Sequence, residues 1–223
     1  MTEAPGPEEA LGLLDWKRRV FALYSEVREA ADPRAAWERW RRVRDELIGS
    51  HPQSPITDPE ARARFGGAPY FDYDPTFRVP AAVVPTEPER IVIPASADGE
   101  FAFTRIARAV FDLAGEEFAL GLYWLEGYGG GLFLSFRDGT SGRETYGACR
   151  YLLDTVKGAD LGTEDGSLVL DFNFAYNPSC SYDPRWVCPL APPDNRLPVA
   201  VRAGERYERA EGPSAGEPSA GPP

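Results

Sequence analysis

The prolines of this chain are clustered, and their placement limits the fold more than any other feature of the sequence. Of the 22, nine fall between Pro52 and Pro94, none between Ala95 and Asn177, six between Pro178 and Pro198, and four in the last eleven residues. Proline has no N–H to offer a strand ladder and breaks a helix interior, so the proline-free stretch is where backbone pairing can run uninterrupted. Glycines punctuate that stretch at Gly99, Gly115, Gly127 to Gly131, Gly139, Gly142, Gly158 and Gly166, at spacings suited to consecutive antiparallel strands. The core sheet is therefore expected there.

Strands are expected at 76–84, 90–94, 105–113, 117–125, 131–137, 144–154, 167–173 and 197–203. Segment 105–113 would also satisfy a short helix. Segment 117–125 is apolar on both faces, with Phe118, Leu120, Leu122 and Trp124 opposite Ala119, Tyr123 and Leu125, as in a central strand covered on both sides. The expected architecture is mainly β with an N-terminal α-helical hairpin, the antiparallel strands forming a β-sandwich or small β-barrel over 76–208. Residues 50–75 read as an extended linker with a short helical piece near Pro59 to Phe65. The 1–7 head and the low-complexity 209–223 tail are expected to be disordered.

A helical leader, 8–49, precedes the sheet. Leu13, Trp16, Val20, Leu23, Tyr24 and Val27 recur at helical spacing, and Trp37, Trp40, Val43 and Leu47 form a second stripe. Between them Asp32-Pro33 reads as an N-cap followed by proline at the first helical position. Two such helices are not stable alone. They should lie on the sheet as a lid, with docking of a protein partner or a second copy of the chain as the alternative use of their apolar stripes.

The 223-residue length suits one sizeable domain. The net charge is -11, and the acids are uneven: residues 1–64 hold 12 acids and 11 bases, leaving 23 acids against 13 bases in the rest. Such a domain repels phosphate backbones, so neither nucleic acid nor an anionic membrane is expected as a partner. Lys17 and Lys157 are the only lysines, which coding bias is sufficient to explain. No stretch reaches the roughly 18 apolar residues of a membrane span, and the N-terminus lacks the basic-then-apolar order of a signal peptide; a cytoplasmic location is expected.

Familiar catalytic constellations are missing. The single histidine, His51, sits before Pro52 and reads as a turn cap, and no Walker loop is present. Alternation in 144–154 places Glu144, Tyr146 and Arg150 on one face, and in 167–173 it places Asp171 and Asn173 together. These stripes are either a solvated face with an Arg–carboxylate bridge or a polar pocket. The proline-rich loop after them is long and rigid, as binding loops are. Cys180 and Cys188 within it read first as buried thiols, next as a disulfide and last as a zinc pair, since no histidine is near; no metal or other cofactor is expected.

Three segments, PYFDYDPTFRV (69–79), FRDGTSGRETYGACRYL (136–152) and DFNFAYNPSCSYDPRWVCPLAPPDNRLPVAVRAGE (171–205), resemble the bacterial family catalogued as domain of unknown function 1684. The resemblance runs from about the HPQSPI segment to Glu205. It implies a mainly β domain and carries no established activity. Among the motif positions are Asp138, Thr145, Tyr146, Arg150, Asp171, Asn173, Tyr176, Asn177, Cys180, Cys188, Asn195 and Glu205; Cys149 stands where the family pattern has glycine. The overlap with the polar stripes favours a pocket beside the 174–196 loop binding a small polar molecule through Tyr146, Arg150, Asn173, Tyr176, Asn177 and Asn195. The alternatives are a hydrolase with Asp171 or Glu144 as general base, and a non-catalytic interaction scaffold.

Overall fold

The computed structural model describes residues 5–127 and 129–207. The expected tail and the first four residues of the expected head lie outside that range. Two helices come first, α1 (Pro7–Glu29) and α2 (Pro33–Ser50). The Asp32 carboxylate accepts from the amides of Arg34 (2.9 Å) and Ala35 (3.2 Å) while Pro33 occupies the first turn, so the Asp-Pro pair separates the helices as its chemistry dictates. Helix α2 buries Trp37, Trp40, Leu47 and Ile48, whereas α1 buries only Leu23 and Tyr24, both in its C-terminal half. A short α3 (Pro59–Ala63), capped by Asp58, follows in the connection. Within that connection His51 takes the turn role expected of it, its Nδ1 accepting from the Gln53 amide at 3.0 Å. No helix among the described residues is long and apolar enough to cross a membrane.

Seven strands form one antiparallel sheet: β1 (Arg78–Pro94), β2 (Glu100–Leu113), β3 (Glu116–Leu125), β4 (Gly131–Phe136), β5 (Arg150–Asp154), β6 (Thr163–Glu164) and β7 (Ser167–Asp171). Their order is β5-β4-β3-β2-β1-β7-β6, open between its two edges. Leu152 and Leu153 of β5 nevertheless share a cluster with Leu168 and Leu170 of β7, around Leu120 and Phe136, so the sheet curls about this inner core. The mainly β architecture with leading helices is as expected. Segment 105–113 lies within β2 and is not a helix.

The sheet does not stop at the proline-free stretch. β1 is its longest strand, merges the expected 76–84 and 90–94, and contains Pro80, Pro85 and Pro88. It tolerates them because it is never paired on both sides at one residue. Arg78 to Ala81 pair with β7, and Ala82 to Pro94 pair with β2 across a bulge between Pro85 and Glu89. Each half is an edge, and Pro88 falls in the bulge.

Three other expected strands shorten or vanish. The 144–154 strand is reduced to β5, because Thr140 O accepts from the amides of Arg143, Glu144 and Thr145 and winds 138–149 into a loop. The 167–173 strand ends at Asp171, whose carboxylate caps a 3-10 turn at the Asn173 amide. In 197–203 no ladder forms: the carbonyls of Val201 and Ala203 accept from Arg150, and the Val201 amide donates to Asp138 at 2.7 Å. A bulge in β2 between Arg105 and Ala107 also reverses which face the side chains take. Ala107 and Ala109 thus join the inner core, while Phe103 packs with Phe133 and Tyr151 on the opposite face.

Candidate functional site

That opposite face does not close against the helices. Between them lies a cleft of about 1060 Å³, roofed by Leu13, Trp16 and Val20 of α1 and floored by Phe103, Phe133 and Tyr151. The 174–196 loop supplies a side wall through Tyr176, Asn177, Trp186 and Pro189. Protein interiors are close-packed, and ligand cavities run to roughly 1,000 Å³, so this space is the size of a binding site and not of a packing defect. Only the C-terminal half of α1, through Val20, Leu23, Tyr24 and Val27, joins the cluster of Trp37, Trp40, Val169 and Phe174, and its earlier turns leave the cleft open.

A polar constellation centred on Arg44 reaches the cleft. Arg44, on the apolar stripe of α2, donates to Glu205 at 2.6 Å, to Tyr70 at 3.2 Å and to Tyr182 at 3.3 Å, and its guanidinium lies 4.8 Å from the centre of the Tyr176 ring. Glu205 is 1% exposed and also accepts from the Asn177 amide (2.9 Å), from Asn177 Nδ2 (3.0 Å) and from the Tyr182 hydroxyl. Burial works against the Arg44 charge, but Glu205 beside it, with Tyr182 and Tyr70, more than offsets this and holds it well above its ordinary pKa. Gly204 makes the geometry attainable: at φ +81 a Cβ there would stand 2.6 Å from Ala175 O, so only glycine lets the chain deliver Glu205. Asn177 Oδ1 is buried without a partner.

The residues singled out in the sequence are divided among several places. Tyr176 and Asn177 line the cleft. Arg150, 1% exposed, points into the inner core, 5.0 Å from the centre of the Phe136 ring and 3.5 Å from Asp138, with its other bonds going to backbone carbonyls; burial lowers its pKa. Asn195 splices β3 to β4, its amide bonding Gly121 N at 2.7 Å, Gly121 O at 3.1 Å and Ser135 O at 2.8 Å. Asn173 ties the approach to β1 by bonding both backbone groups of Asp74, and its carbonyl accepts from Trp37 Nε1 at 2.8 Å. Glu144 lies in the 138–149 loop, paired at 2.9 Å with Arg202, which lowers its pKa. Tyr146 points its hydroxyl at Cys180 Sγ, 3.6 Å away.

Asp171 faces the helices, in a niche of about 40 Å³ beside Val27, Ala30 and Pro33. Burial raises its pKa to about 6 against the hydrogen bonds from Asn173, and its Oδ2 has no hydrogen-bond partner. A carboxyl so tuned could move a proton near neutral pH, yet its niche has room for a water or two and no substrate. The expected shared pocket of Glu144, Tyr146, Arg150, Asp171 and Asn173 is thus not assembled: Arg150 and Asp171 take opposite faces, and the loop withdraws Glu144 and Tyr146. All three cysteines are free and buried, and no group of three or more His, Cys, Asp or Glu among the described residues could hold a metal ion.

The sequence reading missed Arg44 and Glu205 as an ion pair; it expected the α1 stripe as a lid on the sheet, but not the cleft beneath it. For Arg44 a signal existed: it stands between Trp40 and Leu47 at helical spacing, a charge on a buried face.

The family described as "Protein of unknown function (DUF1684)" matches residues 63–206. Among solved structures, the solution NMR structure of an uncharacterized protein of Haloarcula marismortui is 38% identical, covering 77% of this chain and 92% of that one, with a TM-score of 0.56. No curated protein matches. The matched family segment holds the floor of the cleft, its loop wall and Glu205, while α1 and α2 lie before it.

Proposed function

The chain belongs to the family described as protein of unknown function (DUF1684), and from that footing we propose that it is a binding protein whose cleft takes an elongated, mainly apolar small molecule with an anionic end. The observation that carries this reading is the cleft itself, about 1060 Å³ of space walled by Trp, Phe, Leu and Val side chains in an otherwise close-packed protein. The loop wall is the one whose rigidity suggested a site. The ligand is mainly apolar because the floor is aromatic and Arg44 is already neutralised by Glu205.

The anionic end follows from the lysines. Of 24 basic residues only Lys17 and Lys157 are lysines, and both line the cleft. They share one rim: Lys17 is one turn before Phe21, whose ring packs on Gly158, the neighbour of Lys157. Lys157 pairs with Asp154 at 3.1 Å, whereas Lys17 has no ion-pair partner among the described residues. A carboxylate or similar group at that rim would supply one.

Trp16, Trp40 and Trp186 line the cleft and report its occupancy, so titrations with dodecanoate and dodecanol followed by tryptophan fluorescence test the reading. Saturable binding of dodecanoate is expected, with dodecanol weaker. Lys17→Met should weaken dodecanoate about two- to fivefold, the worth of a partly exposed ion pair, and leave dodecanol unchanged. Saturation by neither compound would overturn the proposal; equal affinity for both would overturn only the anionic end.

A further inference from the structure

The 174–196 loop carries a second feature that the cleft does not require. Cys180 and Cys188 are both buried, and their positions are interlocked: the Cys180 amide donates to Cys188 Sγ at 3.4 Å, and the Tyr146 hydroxyl donates to Cys180 Sγ at 3.6 Å. The backbone around Cys188 is pinned to the end of β1, its amide donating to Ser96 Oγ at 3.0 Å and its carbonyl accepting from the Ser96 amide at 2.9 Å. Cys188 lines the cleft, as does Ser179 next to Cys180, so the cleft brings small molecules to the edge of a pair otherwise shut in. We propose that Cys180 and Cys188 are a reactive dithiol, converted to a disulfide in the folded protein by a hydroperoxide that enters through the cleft.

The division of labour follows from the contacts. Cys180 is the sulfur that ionises, because the Cys188 thiol and the Tyr146 hydroxyl stabilise its thiolate against the effect of burial, drawing its pKa down to about 6. Cys188 is pushed up in turn by its contact with Cys180. The third thiol is an internal control: Cys149 is wholly buried, directs its sulfur toward Pro189 O at 3.8 Å, and is raised by desolvation.

The chemistry balances in two steps. The Cys180 thiolate attacks the terminal oxygen of the hydroperoxide, which keeps its hydrogen; the O–O bond breaks, and the departing alkoxide takes up the proton that the Cys180 thiol released on ionising, so that sulfur becomes a sulfenic acid, an alcohol leaves and the peroxide is reduced by two electrons. The Cys188 thiol then attacks that sulfur, forming the S–S bond and releasing water. Two thiols and one hydroperoxide give one disulfide, one alcohol and one water.

The test is titration of the intact, reduced protein with tert-butyl hydroperoxide, followed by intact mass and peptide mapping under alkylation. One equivalent should remove two hydrogen masses, cross-link the peptides holding Cys180 and Cys188, and leave Cys149 free, with the pair reacting at least about tenfold faster than Cys149. Cys188→Ser should stop at a sulfenic acid on Cys180, trapped by dimedone, and Cys180→Ser should abolish the fast reaction. Equal rates at the three thiols, or a disulfide that forms only in urea, would overturn the proposal. The wild-type mapping decides this even where a serine variant fails to fold.

Discussion

The two faces of the curled sheet differ in how fully they pair their polar groups. On the inner face Arg150, Asp138 and Asn195 are buried beside Leu120 and Phe136, and each is committed to neighbouring backbone or to an opposite charge. On the face toward the helices the aromatic floor meets open space, and Asn177 Oδ1 and Asp171 Oδ2 remain without hydrogen-bond partners. Arg44 and Glu205 on that side are paired as fully as Arg150, so it is the unpaired acceptors beside open space, and not the face as a whole, that set the two sides apart. The distinction carries more information than burial, since Arg150 and Asn177 are both almost fully buried.

The largest expected effect breaks the dense side. Arg150→Met removes the partner of a buried carboxylate and the donors to Val201 and Ala203, and should destabilise the fold by about 3–5 kcal/mol in urea unfolding. Adding Asp138→Asn should recover part of that loss, because the uncompensated charge is the main penalty. An Arg150→Met protein as stable as wild type would mean that the inner face does not depend on its polar links.

The same contrast explains what the sequence could and could not reveal. The Asp32-Pro33 boundary, the aromatic stripe of α2 and the strands between Glu116 and Phe136 are local in origin, written in caps and alternation, and they were legible, whereas the strand at Glu100–Leu113 was expected only from 105 and with a helix as its alternative. Segment 197–203 alternates like a strand, yet its carbonyls are taken by an arginine about fifty positions earlier, which no local pattern encodes. Alternation also put Glu144 and Tyr146 beside Arg150, on the premise of a continuous strand that the turn around Thr140 cancels. Tyr176 and Asn177, singled out by the family motif and by their conspicuous loop, do line the cleft. The cleft itself was not legible, because space arises from how distant segments fail to meet.

A smaller effect sharpens the comparison through pH. The Asp171 carboxyl has its pKa raised by burial to about 6 when folded, against about 3.9 in an unfolded chain. Its proton therefore stabilises the fold fully below about pH 4, and that contribution is lost as pH rises through about 6. Other carboxylates titrate in the same range, so the informative quantity is the difference from Asp171→Asn. The variant should gain about 1–3 kcal/mol relative to wild type between pH 4 and 8. A constant difference across that window would show that Asp171 is ionised in its niche and that the two faces do not differ in this respect.

The smallest effect on stability falls on the roof. Leu13 is 43% exposed although it lines the cleft, so truncating it removes little buried area. Leu13→Ala should cost less than about 1 kcal/mol in unfolding, where a fully packed leucine would cost about 2–5. The same change should weaken dodecanoate measurably, because the contact it deletes forms only when the cleft is filled. If α1 instead closes down on the sheet in solution, Leu13 would behave as a core residue, and the variant would lose stability like one. Calorimetry and ligand titration on one variant therefore separate a roof that waits for a ligand from a lid already shut.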